Sequence, residues 1–270
     1  MTVPTRFRAA TDLLKALGIT EPKEIDIEAI AQYCDATVLY QRLSGCEARI
    51  VGTSNRAIIT VNPQDSRGRE RFSAAHELGH WLRDTGIAFC NPDAAFNDSA
   101  GPSAETRANE YAADLLLPRF MFEPASKDKP MTFETTSALA DLFETSLTAT
   151  AIRLVRYGSF PAVVVCSENG TLQWFRRGSD VPESLWPRSP GKGTFAYDVG
   201  RGETNGASGE VYASEWFKDI PNRHSVHEDS RRIGSCVLTL VWWKDEAPLE
   251  EIVEREERRA ARRSDWRDEE

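Results

Sequence analysis

The chain opens with apolar residues spaced as on one face of a helix. Phe7, Leu13, Leu14 and Leu17, closed by Gly18, predict an amphipathic helix over 5–18, and Ile27, Ile30 and Ala31 predict a second over 26–34. The period then shortens. Thr37–Leu43, Glu47–Val51 and Ala57–Asn62 read as strands, the last two joined through Gly52-Thr53-Ser54-Asn55, and together they predict a small antiparallel sheet. Helical spacing returns around Arg71–Leu82, where Ala74, Leu78, Trp81 and Leu82 form an apolar stripe and Asp84-Thr85-Gly86 supplies a stop. A further helix is expected over 103–118, with Ser103 as its N-cap and Pro118 ending it. The polar segments 62–70 and 86–102 are loops flanking these two helices. Phe133–Tyr157 then carries two short helical patterns around Thr145-Ser146, an outline like a helix-turn-helix.

The last third reads as a separate α+β unit. Pro161–Ser167, the turn Glu168-Asn169-Gly170 and Thr171–Phe175 make a hairpin signature, and Phe195–Val199, Glu210–Ala213 and Ser235–Trp243 add strand-like runs. His224 and His227 stand in a polar stretch without a ligand-spaced partner and read as surface histidines. Leu249–Glu270 is a charged tail in which Glu251 with Arg255 and Glu254 with Arg258 support a solvated helix. The expected organisation is an α+β domain over 1–157, which includes the helix-turn-helix-like segment 132–157. A smaller C-terminal α+β domain over 158–248 and the helical tail 249–270 follow.

Composition narrows the class. At 270 residues, 40% hydrophobic and 28% charged, the chain can bury more than one core, and no apolar run is long enough to span a bilayer. The N-terminus lacks a signal-peptide core, so a cytoplasmic protein is expected. Five cysteines without paired spacing argue against a disulfide framework and against a zinc site built from cysteines. Cys90, between the two central helices, is a candidate for approaching whatever they hold. The net charge of −9 opposes non-specific nucleic-acid binding. Within 133–157, Glu134, Asp141 and Glu144 outnumber Arg153 and Arg156, which argues against direct DNA binding and for a packing or substrate-docking role.

The chemistry concentrates in His76-Glu77-Leu78-Gly79-His80. On a helix, the i, i+4 spacing puts both imidazoles on one face, where neutral ring nitrogens can share one Zn²⁺ and Glu77 can reach a metal-bound water. Such a site needs a third protein ligand. On the 103–118 helix, Glu105, Ala108, Asn109 and Ala112 share a face, and the three short residues allow close approach, so that Glu105 enters the coordination sphere. Asn109, one turn on, can hydrogen bond the outer nitrogen of a ligand histidine. Glu110 is the competing carboxylate, but its helical angle points away from that face. Tyr111 points away from Glu105 as well, and no oxyanion donor is identified.

These residues carry a specific resemblance. R-F-S-A-A-H-E-L-G-H followed by E-T-R-A-N-E-Y-A-A-D-L-L-L-P resembles the ImmA/IrrE family of metallopeptidases. That family's pattern is an H-E-x-x-H helix and then an E-x-x-A-N-x-[FY]-A-A-x-L-L-x-P helix. The likeness extends less sharply upstream, through Ile25 to Asn62, and downstream to about Trp243. Arg107 stands where many members have a glutamate, which leaves Glu105 as the unambiguous carboxylate. The resemblance implies a zincin-like domain with His76, His80 and Glu105 as zinc ligands and Glu77 as general base. It also implies a regulatory protease that cleaves a helix-turn-helix repressor of the Xre type.

In metallopeptidases of this plan an edge strand beside the metal helix binds extended substrate by strand addition. Ala57–Val61 is the candidate here, unless it is an internal strand paired on both sides. The rival functional reading is a non-proteolytic zinc-containing regulator that binds and sequesters a repressor or another partner.

Overall fold

A computed structural model describes residues 9–53, 55–63, 66–83, 103–218, 220–221 and 223–265. Cys90, the start of the first expected helix and the Asp84-Thr85-Gly86 stop lie outside the described residues. The fold is α+β and divides into two compact units. One comprises the described residues up to Ala125 together with Ser137–Arg153; the other comprises Ser126–Thr136 with the described residues from Leu154 onward.

The first unit begins with α1 (Ala10–Ala16) and α2 (Ile27–Tyr33), the latter started by Asp26, whose side chain accepts from the Ala29 N–H. A three-stranded sheet follows, built from β1 (Ala36–Tyr40), β2 (Ala48–Gly52) and β3 (Ala57–Val61) in the order β1-β3-β2. The period-2 pattern turns Ala48, Ile50, Ala57, Ile59 and Val61 inward, while Leu39, Val51 and Ile58 stay exposed. Two expectations change here. The sheet is mixed, because β3 runs parallel to β1 and antiparallel to β2. The short β2–β3 connection enforces an antiparallel pair, and the longer segment 41–47 lets β3 slot between β1 and β2. With both of its edges paired, β3 cannot accept a substrate strand, so Ala57–Val61 is the internal strand of the two alternatives.

The 17-residue α3 (Arg67–Arg83) follows β3, and α4 (Ala104–Leu116) pairs with it. The unforeseen α5 (Arg119–Ser126) starts directly after Pro118, and α6 (Phe133–Phe143) and α7 (Leu147–Tyr157) are the two expected short helices. Arg71 lies buried and donates to the carbonyls of Phe143 at 2.8 Å, Glu144 at 2.9 Å and Ile25 at 2.6 Å. It thereby satisfies carbonyls at the end of α6 that have no partner within that helix. A Cβ on Gly68 would come within 2.5 Å of the Thr145 backbone, so the start of α3 needs glycine to reach that turn.

The second unit holds an antiparallel five-stranded sheet. Its strands are β4 (Ala162–Glu168), β5 (Thr171–Arg177), β6 (Gly206–Tyr212), β7 (Ser225–Ile233) and β8 (Cys236–Trp242), in the order β5-β4-β8-β7-β6. The β4–β5 hairpin turns at Asn169 and Gly170 with φ of 51° and 76°, the left-handed pair that a two-residue type I′ loop requires. The expected strand at Phe195–Val199 is instead α8 (Phe195–Arg201). Thr194 caps it by accepting from the Tyr197 N–H, and Gly202 closes it at φ 85°. Those two end signals outweigh the strand-prone Phe, Tyr and Val between them.

Conversely, β7 passes through the polar stretch in which His224 and His227 looked like surface residues. Its inward positions include Glu228 and Ser230, so the apolar alternation that marks a strand is masked. His227 stacks on Trp242 with ring centroids 4.4 Å apart. A short α9 (Ala213–Trp216) follows β6, and the tail forms α10 (Ala247–Asp265). The tail's Leu249 and Ile252 are buried in the core of this unit. Glu254 pairs with Arg258 at 3.4 Å as expected, and Glu251 reaches Arg223 and His224 at 2.5 and 3.1 Å.

Candidate metal centre

The helix α3 places its apolar stripe inward. Ala74, Leu78, Trp81 and Leu82 are buried, and the Trp81 indole N–H donates to the Cys34 carbonyl at 2.8 Å. The adjoining face carries His76 and His80, themselves buried, with ring centroids 4.8 Å apart. Glu77 is fully buried on the same helix.

Close packing of α4 on α3 brings in the third group. A Cβ on Gly79 would lie 3.1 Å from Tyr111 Cβ and 3.2 Å from Ala108 Cα, so glycine at 79 and alanine at 108 set the approach of the two helices. Ser103 caps α4, its side chain accepting from the Thr106 N–H at 3.1 Å, and Glu105 stands in the first turn. From there its carboxylate reaches both imidazoles, Oε2 lying 3.2 Å from His76 Nε2 and Oε1 lying 3.5 Å from His80 Nε2. The two Nε2 atoms are 3.2 Å apart, and one ligand atom from each of the three residues falls within 4.8 Å of the others.

Those spacings test whether a metal fits. Ligand atoms about 2.0–2.1 Å from a tetrahedral ion stand roughly 3.3–3.4 Å from one another. The observed separations of 3.2, 3.2 and 3.5 Å match the edges of such a tetrahedron. The direction of the His76 shift agrees with the geometry. Burial lowers the His76 pKa, the neighbouring His80 lowers it further, and Glu105 opposes them. The His76 Nδ1–H donates to Asn109 Oδ1 at 2.8 Å, which turns the Nε2 lone pair toward the cluster.

The structure thus brings together His76, His80, Glu105 and Asn109. Glu110 is exposed, and Tyr111 is buried with its Cβ against Gly79. Among the described residues, the group comprises three protein donors. Two contributors went unnoticed in the sequence. Gly79 sets the α3–α4 distance; glycine inside a helical pattern was the available signal. Arg71 anchors α3 against the end of α6, and no local pattern marks that role.

Residues 31–155 match the Peptidase M78 family model, described as the IrrE N-terminal-like domain. Among solved structures, a Mycobacterium tuberculosis transcriptional regulator superposes with a TM-score of 0.58 at 14% identity. The match covers 86% of this chain and 74% of that one, a likeness of fold. No curated protein matches the chain.

Proposed function

Because residues 31–155 belong to the ImmA/IrrE metallopeptidases as a Peptidase M78 domain, we propose that the chain is a regulatory zinc-dependent endopeptidase whose substrate is a helix-turn-helix repressor of the Xre type. The observation that carries this reading is the convergence of His76, His80 and Glu105 at tetrahedral spacing, with Glu77 on the same helix. A structural zinc site is closed by four protein donors, whereas three leave a position for water and substrate, the arrangement of a hydrolase. Zn²⁺ bound there would polarise a peptide carbonyl and bring the pKa of water toward about 7.

The chain's own residues do the rest. His76 and His80 present neutral nitrogens, Glu105 supplies the anionic donor, and Asn109 holds the His76 ring in its orientation. Glu77 accepts a proton from the attacking water and returns it to the leaving amine.

A regulatory role is supported by the likeness in fold to a transcriptional regulator. That likeness also favours the second reading, a protein that sequesters a repressor without cutting it. Direct reading of DNA by α7 has less support. Arg153 on that helix is buried and bonded to Asp114 at 2.8 Å, which leaves Arg156 as its exposed base. No described helix is long and apolar enough to cross a membrane. We place the protein in the cytoplasm, where such a repressor would be met.

The deciding experiment is Glu77→Gln, nearly isosteric but unable to accept the proton. It is expected to fold, to keep its metal and to lose repressor cleavage by roughly 10² to 10⁴ in rate. Cleavage is read on a gel beside reporter derepression in cells. Full derepression by the variant, with the repressor intact, would replace the protease by the sequestering protein.

A further inference from the structure

Among the described residues, the outer strand β6 leaves one edge of the second unit's sheet unpaired. Its bonding to β7 shows which backbone groups face outward. The Asn205 carbonyl accepts from the Arg232 N–H at 2.9 Å, and the Ala213 N–H donates to the His224 carbonyl at 2.8 Å. Odd-numbered positions of the strand are therefore the ones bonded to β7 in the register Ala207↔Ser230, Gly209↔Glu228 and Val211↔Val226. The N–H and C=O of Ser208 and Glu210, and the Tyr212 N–H, point off the sheet. The strand contains no proline and no lysine, its single charged residue is Glu210, and its register with β7 has no bulge.

We propose that this edge pairs antiparallel with the same edge of a second copy of the chain, about a twofold axis at Gly209. Cyclic dimers of this kind use one self-complementary patch on both partners. Registers centred on Ser208, Gly209 or Glu210 all set outward groups opposite outward groups, so side chains choose among them. Centred on Glu210, the pairing opposes two carboxylates; centred on Ser208, it runs into residues that precede the strand.

Centred on Gly209, all seven residues of the strand overlap. Ser208 then faces Glu210, and the hydroxyl donates to the carboxylate while their backbones exchange hydrogen bonds. Ala207 faces Val211, an apolar pair that extends the half-buried fringe of the unit's core. Gly206 faces Tyr212, which is 62% exposed and gains a flat surface to cover. Gly209 itself has no room for a side chain, since a Cβ would meet the Phe195 ring at 2.8 Å. It leaves the axis clear for close approach of the two backbones.

Sedimentation velocity on the full chain at micromolar concentration is expected to show a dimer. Ser208→Glu sets like charges opposite one another twice by symmetry and is expected to weaken dimerisation about tenfold or more. Ser208→Lys, which meets Glu210 with opposite charge, is expected to preserve or tighten it. Position 208 is exposed, so both variants are expected to fold, and circular dichroism checks this. The double variant Ala207→Cys, Val211→Cys is expected to give an intermolecular disulfide under mild oxidation, with 207 of one copy joined to 211 of the other. A monomeric wild-type chain overturns the proposal. So does a dimer that Ser208→Glu leaves intact, or a cross-link mapped to a different register.

Discussion

The two nitrogens of the His76 ring have separate partners. Nε2 faces the cluster and the Nδ1–H is fixed by Asn109, so Asn109→Ala removes orientation without removing a donor. Metal affinity is expected to fall about 10- to 100-fold with the fold unchanged, as measured by chelator competition. Glu105→Ala is expected to empty the site in elemental analysis, whereas Glu110→Ala, at an exposed position, is expected to leave about one ion per chain. If the two variants behaved the other way round, the third donor would be Glu110. The clustering of His76, His80, Glu105 and Asn109 was legible because helical periodicity sets which residues share a face within each helix, while the short residues of the second helix and the family resemblance paired the two helices. Arg71 was not, since its three acceptors come from distant stretches of chain that only the tertiary fold assembles.

Elements meet where small residues permit. A branched side chain in Gly79→Val would drive into the Ala108 backbone, which belongs to α4 and cannot rotate away. The variant is expected to lose about 1–3 kcal/mol in denaturant unfolding, and to bind metal more weakly because Glu105 is displaced along with α4. The helices α3 and α4 were readable because the apolar stripe of the first, the Ser103 cap and the Pro118 stop of the second agree with one another.

The strand β7 was not readable, because its inward face carries Glu228. That carboxylate accepts from Trp216 Nε1 at 2.9 Å, the Ala196 N–H at 2.6 Å and the Ser230 hydroxyl at 2.9 Å. Burial nonetheless raises its pKa above the ordinary value of 4.5. Between that value and the raised one, the folded state binds more protons than the unfolded state, so stability falls as pH rises through the window. Glu228→Gln is expected to flatten this slope in urea unfolding measured as a function of pH. It is also expected to lower stability by about 1–3 kcal/mol, since its amide would face the Trp216 N–H donor to donor.

For the whole molecule, we propose that a chain ending at 157 keeps the metal centre, because every proposed donor precedes that point. It would lose Asp229, which accepts from the Phe133 N–H at the start of α6 at 2.7 Å, a cap worth about 1 kcal/mol. The expected product holds about one ion per chain and melts at a lower temperature than the full chain. An insoluble or metal-free product would show that the two parts share one folding unit. The division of donors between α3 and α4 bears on folding as well. His80 and Glu105 are separated by 24 residues, and the close approach of the two helices already draws the ends of that span together. An ion held by both helices would tie off the span as a loop, and by binding only the folded chain it would raise the melting temperature. Because the cost of closing a loop grows with the logarithm of its length, doubling the span is expected to take only about 0.6 kcal/mol from stability. A chelator is expected to lower the melting point by more than that insertion does, which would make the ion a fastener of the chain as well as a reagent.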